Sequence, residues 1–173
     1  MKEIRFQKVK RELVSGESLL YLGRNYKLDL KTDSTLRIPA ISLSNGVFHV
    51  LTKNAEQDYL RPFLIDWYKC KAGLKIHERI DYFATKLSVQ PRGTIIKEQK
   101  KRWGSCTTGN VLNFNWRCIL APAPILDYII AHELCHLIET NHSLKFWALL
   151  RAVMPDYELR KKWLMENGVK LDV

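Results

Sequence analysis

The chain has 173 residues, 46% of them apolar, and a net charge of +10 from 28 Lys+Arg against 18 Asp+Glu. That length suits one domain with a full core, and the apolar share excludes a disordered tail. The start, Met1-Lys2-Glu3-Ile4-Arg5, lacks a secretory apolar run, and the longest mostly apolar stretch, Ile119 to Ala131, is broken by Asp127 and two prolines. The sequence therefore reads as a soluble, cytoplasmic protein with no membrane partner.

Residues 2–15 read as a short basic helix or an arm. Ser18 to Leu22 and Tyr26 to Leu30 flank a turn at Gly23-Arg24-Asn25, which predicts a hairpin. Thr35 to Leu43 and Val47 to Leu51 flank Asn45-Gly46 and predict a second, with Pro39 placing its strand at an edge. Residues 54–89 carry a helical period, with Leu60, Phe63, Leu64, Trp67, Cys70 and Leu74 on one stripe and Ile76, Ile80, Phe83 and Leu87 continuing it after a phase shift. Gly73 either divides this segment or lies inside one long helix. Thr94 to Glu98 follows as a strand.

A turn over Cys106 to Val111 separates two further strands. In the second, Leu112, Phe114 and Trp116 share one face, and Asn113 and Asn115 share the other. Pro122 and Pro124 open a helix predicted to run to about Thr140, with Asp127 in its first turn and Asn141 as the stop. Ser143 caps the next helix, whose stripe is Leu144, Trp147, Leu150 and Met154. Pro155 starts a last one, with Leu159, Trp163 and Leu164 apolar and Asn167-Gly168 as its end. The four cysteines, Cys70, Cys106, Cys118 and Cys135, form no C-x-x-C pair and read as reduced and buried. Basic clusters at Lys8 to Arg11, Lys97 to Arg102 and Arg160 to Lys162 fit solvated faces or a polyanionic partner.

The chemistry concentrates in His132-Glu133-Leu134-Cys135-His136, followed by His142. Residues four apart on a helix lie about 40° apart around its axis, so His132 and His136 point the same way. Two imidazoles so placed can reach one zinc ion at about 2.0–2.1 Å. Glu133 then flanks the metal without ligating it, where a carboxylate can take the proton of the attacking water. The third ligand must return from beyond the helix; His142 ranks first, ahead of Glu158 and Glu139. Three protein ligands leave a position for water, the mark of a catalytic site with one zinc ion per chain.

The histidines belong to a longer ordered set. Lys101-Arg102-Trp103-Gly104-Ser105-Cys106, Leu112-Asn113, Ala121-Pro122, Asp127 to Leu137, Asn141-His142-Ser143 and Phe146-Trp147 resemble the YgjP-like metallopeptidase family, related to the SprT-like and WLM zinc peptidases. The resemblance spans roughly Tyr59 to Trp163, and Leu20 to Tyr26 is similar to the family's hairpin. It implies a small zincin-like α+β fold with an antiparallel or mixed sheet over the ligand helix. It also implies zinc on His132, His136 and His142, with Glu133 as base. Family members usually carry a longer β-rich region before the hairpin, and this chain enters that pattern partway. Glu139, where metzincins have a turning glycine, sets the chain outside that class.

One zincin-like domain is thus expected over residues 1–173, with hairpins over 18–51, a helical segment over 54–89 and the catalytic core over 94–164. Lys101, Arg102, Trp103, Ser105 and Asn113 are its candidate substrate contacts. Three functions compete. A metallopeptidase would pair a peptide with an edge strand at Val111 to Asn115, Asn113 lining the cleft. A nucleotide hydrolase, as some bacterial family members are described, would cleave UTP to UMP and pyrophosphate. It would hold the phosphates with Lys100, Lys101 and Arg102 and stack the base on Trp103. A basic nucleic-acid-binding module would use the metal structurally.

Overall fold

Two tight turns organise the first sheet. In the computed structural model, which describes residues 12–173, β1 (Ser18–Tyr21) and β2 (Arg24–Thr32) are joined by Leu22 and Gly23, both at positive φ (48° and 76°). β3 (Ala40–Ser44) and β4 (Val47–Thr52) are joined by Asn45 and Gly46 in the same conformation (50° and 77°). Two-residue turns with both central residues left-handed match the twist of antiparallel strands. The first turn falls on Leu22-Gly23, one residue earlier than expected, because Tyr21 pairs with Arg24. The strand order is β1-β2-β4-β3, and a parallel β2–β4 pairing joins the hairpins. β3 lies at the edge, as expected, but it starts only at Ala40, so Pro39 precedes the strand instead of lying within it. Most of the predicted basic arm lies outside the described residues, and residues 12–15 carry no helix.

One helix, α1 (Gln57–Leu87), fills the helical segment, with Gly73 inside it. Its buried ridge is Leu60, Leu64, Tyr68, Ala72, Ile76 and Ile80, a strict step of four, and then Phe83. The expected stripe drifts off this ridge: Cys70 is exposed and Leu74 is 65% exposed. Tyr68 carries the ridge because its ring stacks on Trp116 (centroids 5.8 Å) while its hydroxyl donates to the Leu20 carbonyl (2.8 Å). An aromatic residue can thus belong to the core and still satisfy its polar end.

The second sheet, β5 (Gly93–Lys97), β6 (Gly104–Cys106) and β7 (Val111–Asn115), has the order β5-β7-β6. β7 is therefore central, parallel to β5 and antiparallel to β6, and not the expected edge; β6 is the edge that meets the ligand helix. The chain then turns into a 3₁₀ segment, Trp116–Leu120, in which the Asn115 side chain accepts from the Arg117 N–H (3.2 Å).

Three helices follow: α2 (Ala123–Cys135), α3 (Leu144–Val153) and α4 (Tyr157–Asn167). Asp127 lies beyond the first turn of α2 and forms a bidentate pair with Arg79 of α1 (2.6 and 2.8 Å), so its role is to join helices. α2 stops at Cys135, well before Thr140, as the N–H groups of Leu137 and Ile138 tighten onto the carbonyls three residues back. Ser143 caps α3 by accepting from Phe146 N–H (3.3 Å). α3 buries Phe146 and Leu150 and leaves Leu144 90% exposed, whereas α4 buries Tyr157 and Leu164 and exposes Leu159. All four cysteines are free; Cys118 and Cys135 are buried. No helix among the described residues is long and apolar enough to cross a membrane.

The first hairpin docks on the approach to α2. Leu22 N–H and Gly23 N–H donate to the Ile119 and Leu120 carbonyls (2.8 and 3.0 Å). A Cβ on Gly23 would lie 2.7 Å from Pro122 Cγ. Gly23→Ala therefore combines a left-handed backbone with an overpacked contact and is expected to lower unfolding free energy by about 2 kcal/mol or more, read from urea denaturation midpoints.

Candidate metal centre

α2 and its C-cap supply two imidazoles from one face, His132 and His136, and the irregular turn after them returns a third. Donor atoms of His132, His136 and His142 all lie within 4.8 Å of one another. His132 Nε2 and His142 Nε2 stand 2.9 Å apart. His136 turns its Nδ1 to the Glu139 carbonyl (3.1 Å), which leaves its Nε2 for the group. The early end of α2 makes this possible, because a helix continued to Thr140 would carry Glu139 past the histidine it supports.

Burial, reinforced by the neighbouring imidazoles, pushes His132 down to about 2. Burial also brings His142 down to about 4 and lowers His136. All three are thus neutral near pH 7, with lone pairs free for a metal. Three converging neutral imidazoles, one of them only 1% exposed, fit a borderline-soft divalent ion.

Aromatic rings hold the triad from beneath. The Phe146 ring centroid lies 4.9, 4.7 and 4.7 Å from those of His132, His136 and His142. Trp147 stacks on His142 (5.5 Å, 28°) and on Tyr157 (5.4 Å, 17°). His142 sits on a turn without helical hydrogen bonds, so this stack is what orients its ring.

Glu133 is 2% exposed, and burial pushes its carboxyl up to about 8, opposed by the charge of Arg102. Its side chain lies against β6 where Gly104 leaves room: a Cβ there would be 2.6 Å from Glu133 Cγ and 2.8 Å from Oε1. Gly104, Phe146 and Trp147 were missed as site residues. The signal for Gly104 was a glycine inside a short strand, a mark of close approach.

The remaining candidates separate clearly. Arg102 and Ser105 line a cleft of about 450 Å³ over the histidines and Glu133, together with Thr107, Asn110 and Leu137. Lys101, Trp103 and Asn113 do not line it. Trp103 is 1% exposed and packs in the core, and Asn113 (4%) is enclosed between Ile95 of β5 and Ser105 of β6. Glu158 bonds to Arg151 and to the Tyr157 hydroxyl, away from the triad. Glu139 serves through its carbonyl, while its carboxylate accepts from Asn141 N–H. Cys135 is buried outside the group, its thiol pushed up to about 12 by desolvation.

The sequence model described as "YgjP-like, metallopeptidase domain" matches residues 1–167. The chain belongs to the YgjP-like metallopeptidase family. It is a metal-dependent hydrolase, and the match reaches well beyond the Tyr59–Trp163 span of the motifs. The fold is similar to that of the metallopeptidase zymogen abylysin of Pyrococcus abyssi, at a TM-score of 0.51 and 18% identity over 57% of this chain and 99% of that one. Jannalysin of Methanocaldococcus jannaschii, also a metallopeptidase zymogen, aligns at 0.49 and 22% identity over 54% and 96%. No curated protein matches the sequence.

Because β6 touches Glu133 through Gly104, Gly104→Ala is expected to lower stability by about 1–3 kcal/mol. It should also displace the carboxyl, so hydrolysis falls further than the folded fraction does. Circular dichroism melts and turnover measured on the same samples check this.

Proposed function

We propose that the protein is a zinc metallopeptidase in which His132, His136 and His142 hold the ion and Glu133 is the general base. The observation that carries this reading is a buried carboxyl fixed beside three converging neutral imidazoles, at the floor of an open cleft. Zinc bound there would supply a Lewis acid that polarises the substrate carbonyl and acidifies water. Glu133 accepts the proton of the attacking water and returns it to the leaving amine. A carboxyl held beside the water can serve both halves of that transfer, taking the proton first and giving it up afterwards.

The place of β6 at the edge of its sheet, among the described residues, supports a peptide substrate. An extended chain pairing there would lie along the wall that holds Glu133, with Ser105 beside it. Hydrolysis of UTP keeps Arg102 in the cleft but has no stacking surface in Trp103, which is buried, and no Lys101 on the cleft wall. The peptide reading is therefore preferred.

In a parallel screen of peptides and nucleotides, zinc-loaded protein should cleave peptides. Glu133→Gln should lose about 10²- to 10⁴-fold in turnover while zinc content by atomic absorption stays at wild-type level. Nucleotide turnover with no peptide turnover would overturn the reading. Trp147→Ala should weaken zinc binding about tenfold or more, as removal of a supporting contact does, with Trp147→Phe restoring most of it; competition with a chelating dye measures both.

A further inference from the structure

Apart from the histidines, two charged side chains line the cleft, and they differ in setting. Glu133 lies at the floor, buried against β6. Arg102 is exposed and has no ion pair among the described residues. Arg79, Arg117 and Arg160 are, by contrast, engaged with carboxylates of the protein itself: Asp127, Asp172 and Asp156. The wall between is neutral and polar, from Ser105, Thr107, Thr108 and Asn110.

The backbone that carries Arg102 is held in place. Asn115, fully buried, donates its side-chain amide to the carbonyls of Gln99 (2.8 Å) and Arg102 (3.2 Å), and its N–H to that of Trp103 (2.8 Å). A second cation flanks the site: Lys161 Nζ lies 4.3 Å from the Trp147 ring that stacks on His142. A guanidinium with no ion pair among the described residues, on a pinned backbone beside neutral polar walls and a carboxyl whose burial favours its neutral form, presents a positive potential to whatever enters. Its planar fork matches a carboxylate in bidentate fashion.

We propose that the cleft selects peptides carrying a carboxylate near the scissile bond, and that Arg102 is the specificity residue that pairs with it. This rests on the peptidase reading for the reaction but not for the binding. Arg102 contributes to recognition; the proton transfers stay with Glu133.

Binding is tested on the zinc-loaded Glu133→Gln protein by fluorescence anisotropy. The probes are labelled octapeptides with one Glu walked along a neutral sequence, each compared with its Gln counterpart. At one or two positions the Glu peptide should bind about tenfold tighter, or about 1.4 kcal/mol, and the advantage should shrink as salt rises. Adding Arg102→Glu should abolish or invert it, Arg102→Lys should keep part of it, and Lys69→Glu, an equal change of net charge outside the cleft, should leave it intact. Equal binding of Glu and Gln peptides, no binding of either, or a preference that survives Arg102→Glu overturns the proposal. Inorganic pyrophosphate displacing the probe more readily than unlabelled acidic peptide would likewise overturn it, in favour of a phosphate site. Acid-selective binding without cleavage by the wild type would leave the selection standing and remove the peptidase reading instead.

Discussion

The structure depends on burying α2 on every side. From Ile125 to Cys135 each residue except Asp127 is buried, and a helix apolar all round needs cover all round. α1, α3, α4, β6 and the 3₁₀ segment Trp116–Leu120 provide it. Asp127, the one charge on that surface left half-buried, is met by the Arg79 fork. Into this enclosure the chain places His132 and Glu133. Burying ionisable groups is costly unless they are neutral or paired, and the shifts of both run toward neutrality. Neutral imidazoles are what a metal requires. The burial that stabilises the helix thus also prepares the ligands.

Both sheets reach α2 through a glycine. Gly23 lets the turn of the first hairpin settle on Pro122, at the helix start, and Gly104 lets β6 settle on Glu133 further along. The first contact fixes where the helix begins, and the second fixes the carboxyl relative to the cleft. The aromatic pair Phe146 and Trp147, brought in by α3, supports the histidines from the other side. A strand edge, a helix and a ring stack therefore converge on one carboxyl and three imidazoles, and the open side is the cleft.

Features governed by near neighbours were legible in the residues. Asn45-Gly46 announces its turn because few other pairs accept two left-handed conformations. Ser143 announces its helix because a hydroxyl there satisfies an end N–H. Features governed by distant partners were not. The core phase of α1 follows Tyr68, which faces Trp116 from nearly fifty residues away, so a stripe counted through Phe63, Trp67 and Cys70 drifted toward Leu74. Val111 to Asn115 looks like an edge until β5 is paired to it in parallel. Trp103 looks available to a ligand until Gly168 packs against its ring.

The sequence by itself placed the proposed ligands and base side by side. The i, i+4 spacing of His132 and His136 puts both rings on one helical face whatever surrounds it, and Glu133 follows as their neighbour. It also ranked His142 ahead of Glu158 and Glu139 as the third ligand. Tertiary structure brings His142, and neither carboxylate, to the other two imidazoles, because α2 ends at Cys135 and the turn folds His142 back beneath Trp147. It also decided which residues face the cleft: Arg102 and Ser105 reach it, while Trp103 and Asn113 go to the interior. The physical reason is one of range. Helical spacing acts within one turn of backbone, whereas exposure depends on which distant elements close over each side chain.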